Sequence, residues 1–328
     1  MAERIVNGAS NKAPSPLSHF MANCAYTPRP LLRYNRLNWG ELTMRAKIAY
    51  RDGFYREAEE LHELALATSR RGGRPDGLWA AQTLHDLGVI ANECGEYRVA
   101  EERLQGALFI FERCENFKYR GPHLAQTLSE LGLVYLNLGA HARAEAMLNR
   151  SLLHLGGLHK ADGWHIETIA NLAHVRRIQG QLDEAESLYI RMWELIQKEY
   201  GPDHRGIATY HLSTCYLYTA RERYEDAECE AMKALCMSCI TMRPGHPRMA
   251  QPYLAWANVH LTCRRLTAAE PLVRRGLHIR ERSLDKDSPT LIPPLETLAA
   301  ILREQGHEDE AAAAKARIER IRELNANK

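Results

Sequence analysis

Apolar residues recur along this chain at three- and four-residue steps, in helix-sized blocks separated by turn residues and charge. In "LWAAQTLHDLGVIANECGEYRVAEERLQGALFIFERC", Leu84, Leu87, Gly88 and Ala91 mark one face of a first helix. Gly95 follows, and glycine ends helices because it enters the left-handed C′ conformation without a Cβ penalty. A second helix then carries Ala100, Leu104, Ala107 and Leu108 on its buried stripe. Small residues at Gly88, Ala100 and Ala107 let two antiparallel helices approach closely. The pattern predicts a helix–turn–helix unit.

That unit is repeated. Ala100 has counterparts at Ala58, Ala144, Ala185, Ala227, Ala269 and Ala311, and subtraction gives steps of 42, 44, 41, 42, 42 and 42 residues. So steady a period describes a repeat array rather than several globular domains. The small-residue column of the first helices reads Ala46, Gly88, Gly132, Ala173, Cys215, Ala257 and Ala299. One helix pair cannot bury its apolar face alone, so the copies must stack into a solenoid. The expected organisation is a flexible N-terminal arm over residues 1–37 and an all-α array over 38–328. Its seven repeats fall near 39–72, 78–118, 122–158, 163–200, 204–242, 246–284 and 288–326.

Local signals mark the ends of elements. Asn38 and Glu41 have capping-box spacing, so helix formation starts there. Asp76, Asp162 and Asp203 are placed as later caps, and Ser288 as a cap with Pro289 in the first turn. Repeats five and six replace the turn glycine with Glu222 and Arg264, so those turns must differ or bear strain. Arg45 stands in an apolar column of repeat one, as on an end repeat open to solvent. Trp79 and Trp164, just ahead of their first helices, are expected to pack between repeats.

Glycine, an aromatic residue, Ala-Glu and a later Ala-Leu on a helix pair resemble the tetratricopeptide repeat. The longer period, with "GPDH" and "GHPRMA" between repeats, resembles its kinesin-light-chain type. The resemblance implies a right-handed superhelix whose first helices line a concave groove, and a protein or peptide partner held there. It also implies peptide contact just before the first-helix leucine, a position that type often fills with asparagine. Asn171 occupies it here, with Asp86, Glu130, Ser213, Ala255 and Thr297 in other copies.

Projecting the non-packing positions of the first helices gives the candidate groove. Repeat two supplies Gln82, His85, Asp86 and Asn92, and repeat three supplies Gln126, Ser129 and Glu130. Repeat four supplies Glu167, Asn171, His174 and Arg177, and repeats five and six supply Ser213, Tyr216, Gln251 and Asn258. Amide side chains both donate to and accept from an extended backbone, which suits peptide binding.

Composition narrows the remaining choices. A net charge of +2 is neither a nucleic-acid signature nor a membrane attractor, and no apolar run approaches the ~18 residues that span a bilayer. Eight cysteines without framework spacing, and no leader-like N-terminus, read as a cytoplasmic chain with free thiols. There is no phosphate loop, HExxH pair or GxSxG turn, so the reading is a non-enzymatic scaffold without cofactor or metal. Cys236 and Cys239, with Cys229 on the same face, are read as apolar filler in a packed helix; a thiol or metal enzyme is the distant rival. Homo-oligomeric assembly through the end repeats or the convex face is the nearer alternative. The arm before Asn38 carries five basic residues against one acid, and could compete for an acid-leaning groove.

Overall fold

The computed structural model describes residues 37–71, 77–113, 117–156, 163–199, 201, 204 and 206–325. The arm up to residue 36 lies outside the described residues. So do the caps at Asp76, Asp162 and Asp203, and the side chain of Trp164. Among the described residues there is no strand. The described residues hold fourteen α-helices, which form seven antiparallel pairs. They are α1 (Trp39–Arg51) with α2 (Tyr55–Arg71), α3 (Leu78–Cys94) with α4 (Tyr97–Arg113), and α5 (Phe117–Asn137) with α6 (His141–Gly156). Then follow α7 (Gly163–Ile178) with α8 (Leu182–Glu199), and α9 (Gly206–Ala220) with α10 (Tyr224–Thr241). The last two pairs are α11 (Ala250–Thr262) with α12 (Leu266–Ser283), and α13 (Ile292–Glu304) with α14 (Glu308–Asn325). Each pair stacks on the next in a right-handed superhelical solenoid.

The periodic residues do what their sizes require. All seven residues of the first-helix small column are buried, and the alanine column of the second helices is buried throughout. A Cβ on Gly132 would lie 2.6 Å from Leu148 Cγ, and one on Gly88 would lie 2.6 Å from Leu104 Cγ. These glycines set how closely the two helices of a pair approach. At the start of the array, Asn38 accepts from the Glu41 amide and Glu41 accepts from the Asn38 amide, each at 3.0 Å, which completes the capping box. Arg45 is exposed, as an end repeat allows. Trp79 stacks on Trp39 of the first repeat, with ring centroids 5.0 Å apart, and so joins neighbouring repeats.

The turns keep one backbone shape whatever residue fills them. Gly53, Gly95, Gly139, Gly180 and Gly306 have φ between 72° and 83°. Glu222 and Arg264 adopt the same left-handed conformation, at φ 59° and 55°. Burial of the flanking helices therefore overrides a local cost on the order of 1 kcal/mol at each of these two positions.

A feature invisible in the period is that the array meets itself. The segment before α11, a 3₁₀ turn over Pro247–Met249, packs on the first two repeats. The Arg248 guanidinium bonds the Glu93 carboxylate through Nε at 3.0 Å and through a second, shorter contact from Nη2. The same Nη2 donates to the Tyr50 hydroxyl at 2.9 Å, and the Tyr55 hydroxyl donates to Glu93 at 3.3 Å. Ser288 stands where a cap was expected, but its hydroxyl makes no capping bond. It donates instead to the Cys94 carbonyl at 2.9 Å, at the end of α3. Leu284 packs against the buried cluster of Ala49, Tyr55, Ala58 and Ile90 beside this contact. Two turn glycines gain a second reason to be glycine here. A Cβ on Gly53 would lie 2.5 Å from Pro247 Cδ, and one on Gly95 would lie 2.8 Å from Thr290 Cγ2. We call this contact between repeats one and two and repeats six and seven the seam.

Burial pushes the Glu93 carboxyl up, but the charge and hydrogen bonds of Arg248 reverse this and hold it below the usual carboxylate range. A depressed acid contributes stability that is present above its unfolded pKa and lost as pH falls through its folded one. The seam is therefore expected to weaken in acid, below the range in which carboxylates ordinarily titrate.

Two outcomes follow from these contacts. Gly132→Leu forces a side chain into Leu148 and should destabilise the array by roughly 1–3 kcal/mol, read as a lower melting temperature; an unchanged one contradicts the packing described. Arg248→Met leaves Glu93 without its cation at a cost of about 1.5–3 kcal/mol. Because repeat contacts are nearest-neighbour, helical content should stay constant while the radius of gyration from small-angle scattering increases. An unchanged radius would mean that other contacts hold the seam closed.

Candidate functional site

The inward faces of the first helices wall a cavity of about 380 Å³. Helix α3 gives it Gln82, His85, Asp86, Val89 and Ile90, and α5 gives it His123, Gln126 and Glu130. Lys47 and Tyr50 of α1, His62 of α2, Glu167 of α7 and Arg248 of the seam complete the wall. Six residues projected from the sequence thus meet around one space: Gln82, His85, Asp86, Gln126, Glu130 and Glu167.

Three projected residues bond within the array, and one of them, His85, also lines the cavity. His85 is buried and its Nδ1 lies 3.1 Å from the Thr127 hydroxyl, one repeat away. Asn92 is buried and accepts from the Asn137 amide at 2.8 Å. Ser129 is buried and accepts from Thr168 at 2.9 Å. Neighbouring first helices lie close enough that polar residues in matching columns bond each other. Their amides and hydroxyls join repeats, because a buried polar group without a partner costs about 1–3 kcal/mol.

Further along the groove, the Arg177 guanidinium lies over the Tyr216 ring, 5.4 Å from its centroid. Burial raises the Tyr216 hydroxyl to about 12 and lowers His174 to about 4. Tyr189, raised to about 12 chiefly by burial, shares side-chain hydrogen bonds with Ser213 and Arg177. Asn171 is half-buried, while Gln251 and Asn258 are exposed on α11, outside the cavity wall.

Charge within the cavity is set mainly by desolvation. Burial raises Asp86 to about 6, opposed by Lys47 and by hydrogen bonds from Gln82 and Lys47. Gln82 Nε2 donates to Asp86 Oδ1 at 3.1 Å. Lys47 Nζ and His62 Nε2 stand 3.7 and 3.8 Å from Oδ2. Burial lowers His62 to about 4 and His85 to about 3, helped in both cases by nearby positive charge, so both imidazoles are neutral near pH 7. At that pH Asp86 is ionised and holds a charge that its surroundings resist.

Residues missed by projection divide by cause. Lys47 and Tyr50 lie 42 residues before Val89 and Asn92, so the period itself contains them. Arg248 has no periodic signal, since it belongs to a connection and reaches the cavity through the seam. The cysteines need a correction. Cys229, Cys236 and Cys239 are exposed on α10 rather than packed as filler, because this stripe of the helix faces away from the neighbouring helices. No helix among the described residues is long and apolar enough to cross a membrane.

Comparison with known proteins agrees with this architecture. No curated relative matches the chain. Among solved structures, a Rap protein complexed with competence and sporulation factor is similar over 95% of this chain and 81% of its own, at 15% identity and TM-score 0.65. The Rap conjugation gene regulator of plasmid pLS20, in complex with the Phr* peptide, is similar over 96% and 82%, at 15% identity and TM-score 0.63. The apo form of RapI is similar over 89% and 100%, at 12% identity and TM-score 0.59. These identities speak for the fold alone. The family model described as tetratricopeptide repeat matches residues 41–113 and 165–237. Those two stretches are tetratricopeptide repeats, and all seven helix pairs run in register on their period.

Proposed function

We propose that this protein is a non-enzymatic interaction scaffold that holds a peptide segment or helix of a partner protein inside its groove. The observation that carries this reading is the walled cavity, where first helices from four repeats and the seam converge. Its volume falls within the range of sites that enclose a small ligand or a short stretch of chain. The wall mixes apolar Val89 and Ile90 with amides, carboxylates and neutral imidazoles, as an extended peptide needs. Two of the similar proteins are seen in complex, one with competence and sporulation factor and one with the Phr* peptide, which supports the same reading by analogy of fold. The fifteen projected groove residues divide accordingly. Gln82, Asp86, Gln126, Glu130 and Glu167 form the contact wall, and His85, Asn92 and Ser129 hold the repeats that carry it. Asn171, His174, Arg177, Ser213 and Tyr216 continue the groove, while Gln251 and Asn258 lie at its periphery.

A second reading has its own observation. The outer face of α10 exposes Met232 and Ile240 together with Cys229, Cys236 and Cys239, an apolar stripe suited to self-assembly. Light scattering of reduced protein at several concentrations separates the two, since only assembly raises the mass.

The groove reading is tested with Val89→Trp, which fills the cavity without removing a polar group. Heptapeptides selected from a random display library against the native chain should bind Val89→Trp at least ten-fold more weakly, with circular dichroism unchanged. Equal affinity for the two proteins, or a library that yields no binder, would sink this reading.

A further inference from the structure

Outside the walled cavity, the inner side of the array gathers positive charge that no carboxylate answers. Arg177 of α7 lies over the Tyr216 ring of α9 and shares a side-chain hydrogen bond with Tyr189. Arg280 of α12 enters from the seam. Its Nη1 donates to the Thr290 carbonyl at 2.6 Å, where Thr290 meets Gly95. Among the described residues neither arginine forms an ion pair. Arg177, Tyr216 and Arg280 are each partly exposed, so a small ligand can reach them.

The setting of these groups differs from that of surface arginines. Burial pushes the Arg280 guanidinium below the usual arginine range, opposed by Tyr216, Tyr97, Glu93 and Tyr55. Glu93 does not balance Arg280, because Arg248 already holds that carboxylate. The ionic side chains that act on the Tyr216 hydroxyl are Arg177 and Arg280, both positive. That hydroxyl has no hydrogen-bond partner among the described residues. Each guanidinium has five N–H donors, and the bonds to Tyr189 and Thr290 leave donors to spare. Cations held partly out of water without a counter-ion are costly, and an anion removes that cost. Charge and shape then select the anion. Donors converge from three helices, whereas a carboxylate presents two oxygens in one plane. Two positive charges match a dianion, and a phosphoryl group carries about −1.5 to −2 near pH 7 on three acceptor oxygens. Arginine meets such oxygens with paired N–H bonds.

We propose that Arg177, Tyr216 and Arg280 form a phosphoryl-binding site across repeats four, five and six. The two guanidinium groups donate to the phosphoryl oxygens, and the Tyr216 hydroxyl donates a further bond. The phosphoryl belongs to a small phosphorylated molecule or to a phosphorylated side chain of a bound segment, since both present the same oxygens. The site does not depend on the cavity binding peptide. Its parts come from successive repeats, and Arg280 is tied to the seam through Thr290. A ligand there joins the middle of the array to its closure, and binding to the folded array alone raises its melting temperature.

The test uses the full chain in a low-salt buffer free of phosphate. Titration calorimetry should show inorganic phosphate and sulfate binding roughly ten-fold or more tightly than acetate, and phosphate should raise the melting temperature. Arg177→Met and Arg280→Met should each weaken phosphate roughly ten-fold or more, and Tyr216→Phe several-fold, with circular dichroism unchanged. The two arginines lie on different helices, so a variant that fails to fold leaves the other to decide. Arg275→Met, which removes an exposed arginine from α12, should leave the affinity unchanged. Acetylated, amidated Ala-Ala-phosphoserine-Ala-Ala separates the two sources. Binding tighter than both phosphate and the serine peptide assigns the phosphoryl to a bound segment, and binding no tighter than phosphate assigns it to a small molecule. Acetate binding as tightly as phosphate would overturn the site. So would an affinity unchanged in either folded arginine variant, or an equal loss in Arg275→Met. A chain that binds no phosphate overturns it too, and leaves the groove reading to be decided by the heptapeptides and Val89→Trp.

Discussion

The charge of Arg248 is balanced by Glu93, a residue 155 positions earlier in the chain, and what the array encloses depends on that meeting. Outside the seam, the contacts of the fold are local. Each helix pair closes on small residues, each pair buries its stripe on the next, and each turn passes through the left-handed region. A solenoid built only from such contacts is an open ribbon whose inner face is solvated. The seam brings repeats six and seven onto repeats one and two, and Tyr50 and Arg248 enter the cavity wall because of it. Gly53 and Gly95 show how tight the contact is, since a methyl group at either would collide with the opposite segment.

Enclosure changes the chemistry of the inner face. On an open surface Asp86 would be an ordinary carboxylate and His62 an ordinary imidazole. Held in the wall, burial moves Asp86 up and His62 down, so each is driven toward its neutral form. The columns that face inward are also divided in use. Asn92, Ser129 and His85 bond polar residues on α5 or α7, which fixes the spacing of the first helices. Residues one turn away on the same helices are left to line the cavity. A single polar stripe thus both binds the repeats together and presents a surface, and which role a residue takes depends on whether a partner stands in the matching column.

That division marks the limit of what the sequence made legible. The helix pairs, the turns, the buried columns and the capping box at Asn38 could all be read, because each depends on residues within one repeat or in the next. The unusual turns at Glu222 and Arg264 were legible for the same reason. Ser288 was not: its position is that of a cap, but its hydroxyl serves the end of α3, 194 residues away. Nor could the cysteines of α10 be placed, since Ala, Met, Leu, Cys and Ile surround its C-terminal half and leave the exposed stripe there undefined. Six cavity residues followed from projecting one face of the first helices, whereas Arg248 required knowledge of closure. Period gives the repeat, and only the accumulated rotation of seven repeats gives the seam.

The account stands or falls on whether Glu93 and Arg248 interact in solution. A double-mutant cycle with Glu93→Gln, Arg248→Met and the pair, scored by the free energy of urea unfolding, isolates that interaction from the effects of each substitution alone. The structure predicts a coupling energy of roughly 1.5–3 kcal/mol, the range of hydrogen bonds to charged groups, with the double variant little worse than either single one. Additive losses, with a coupling near zero, would contradict the account that this ion pair holds the two ends of the array together.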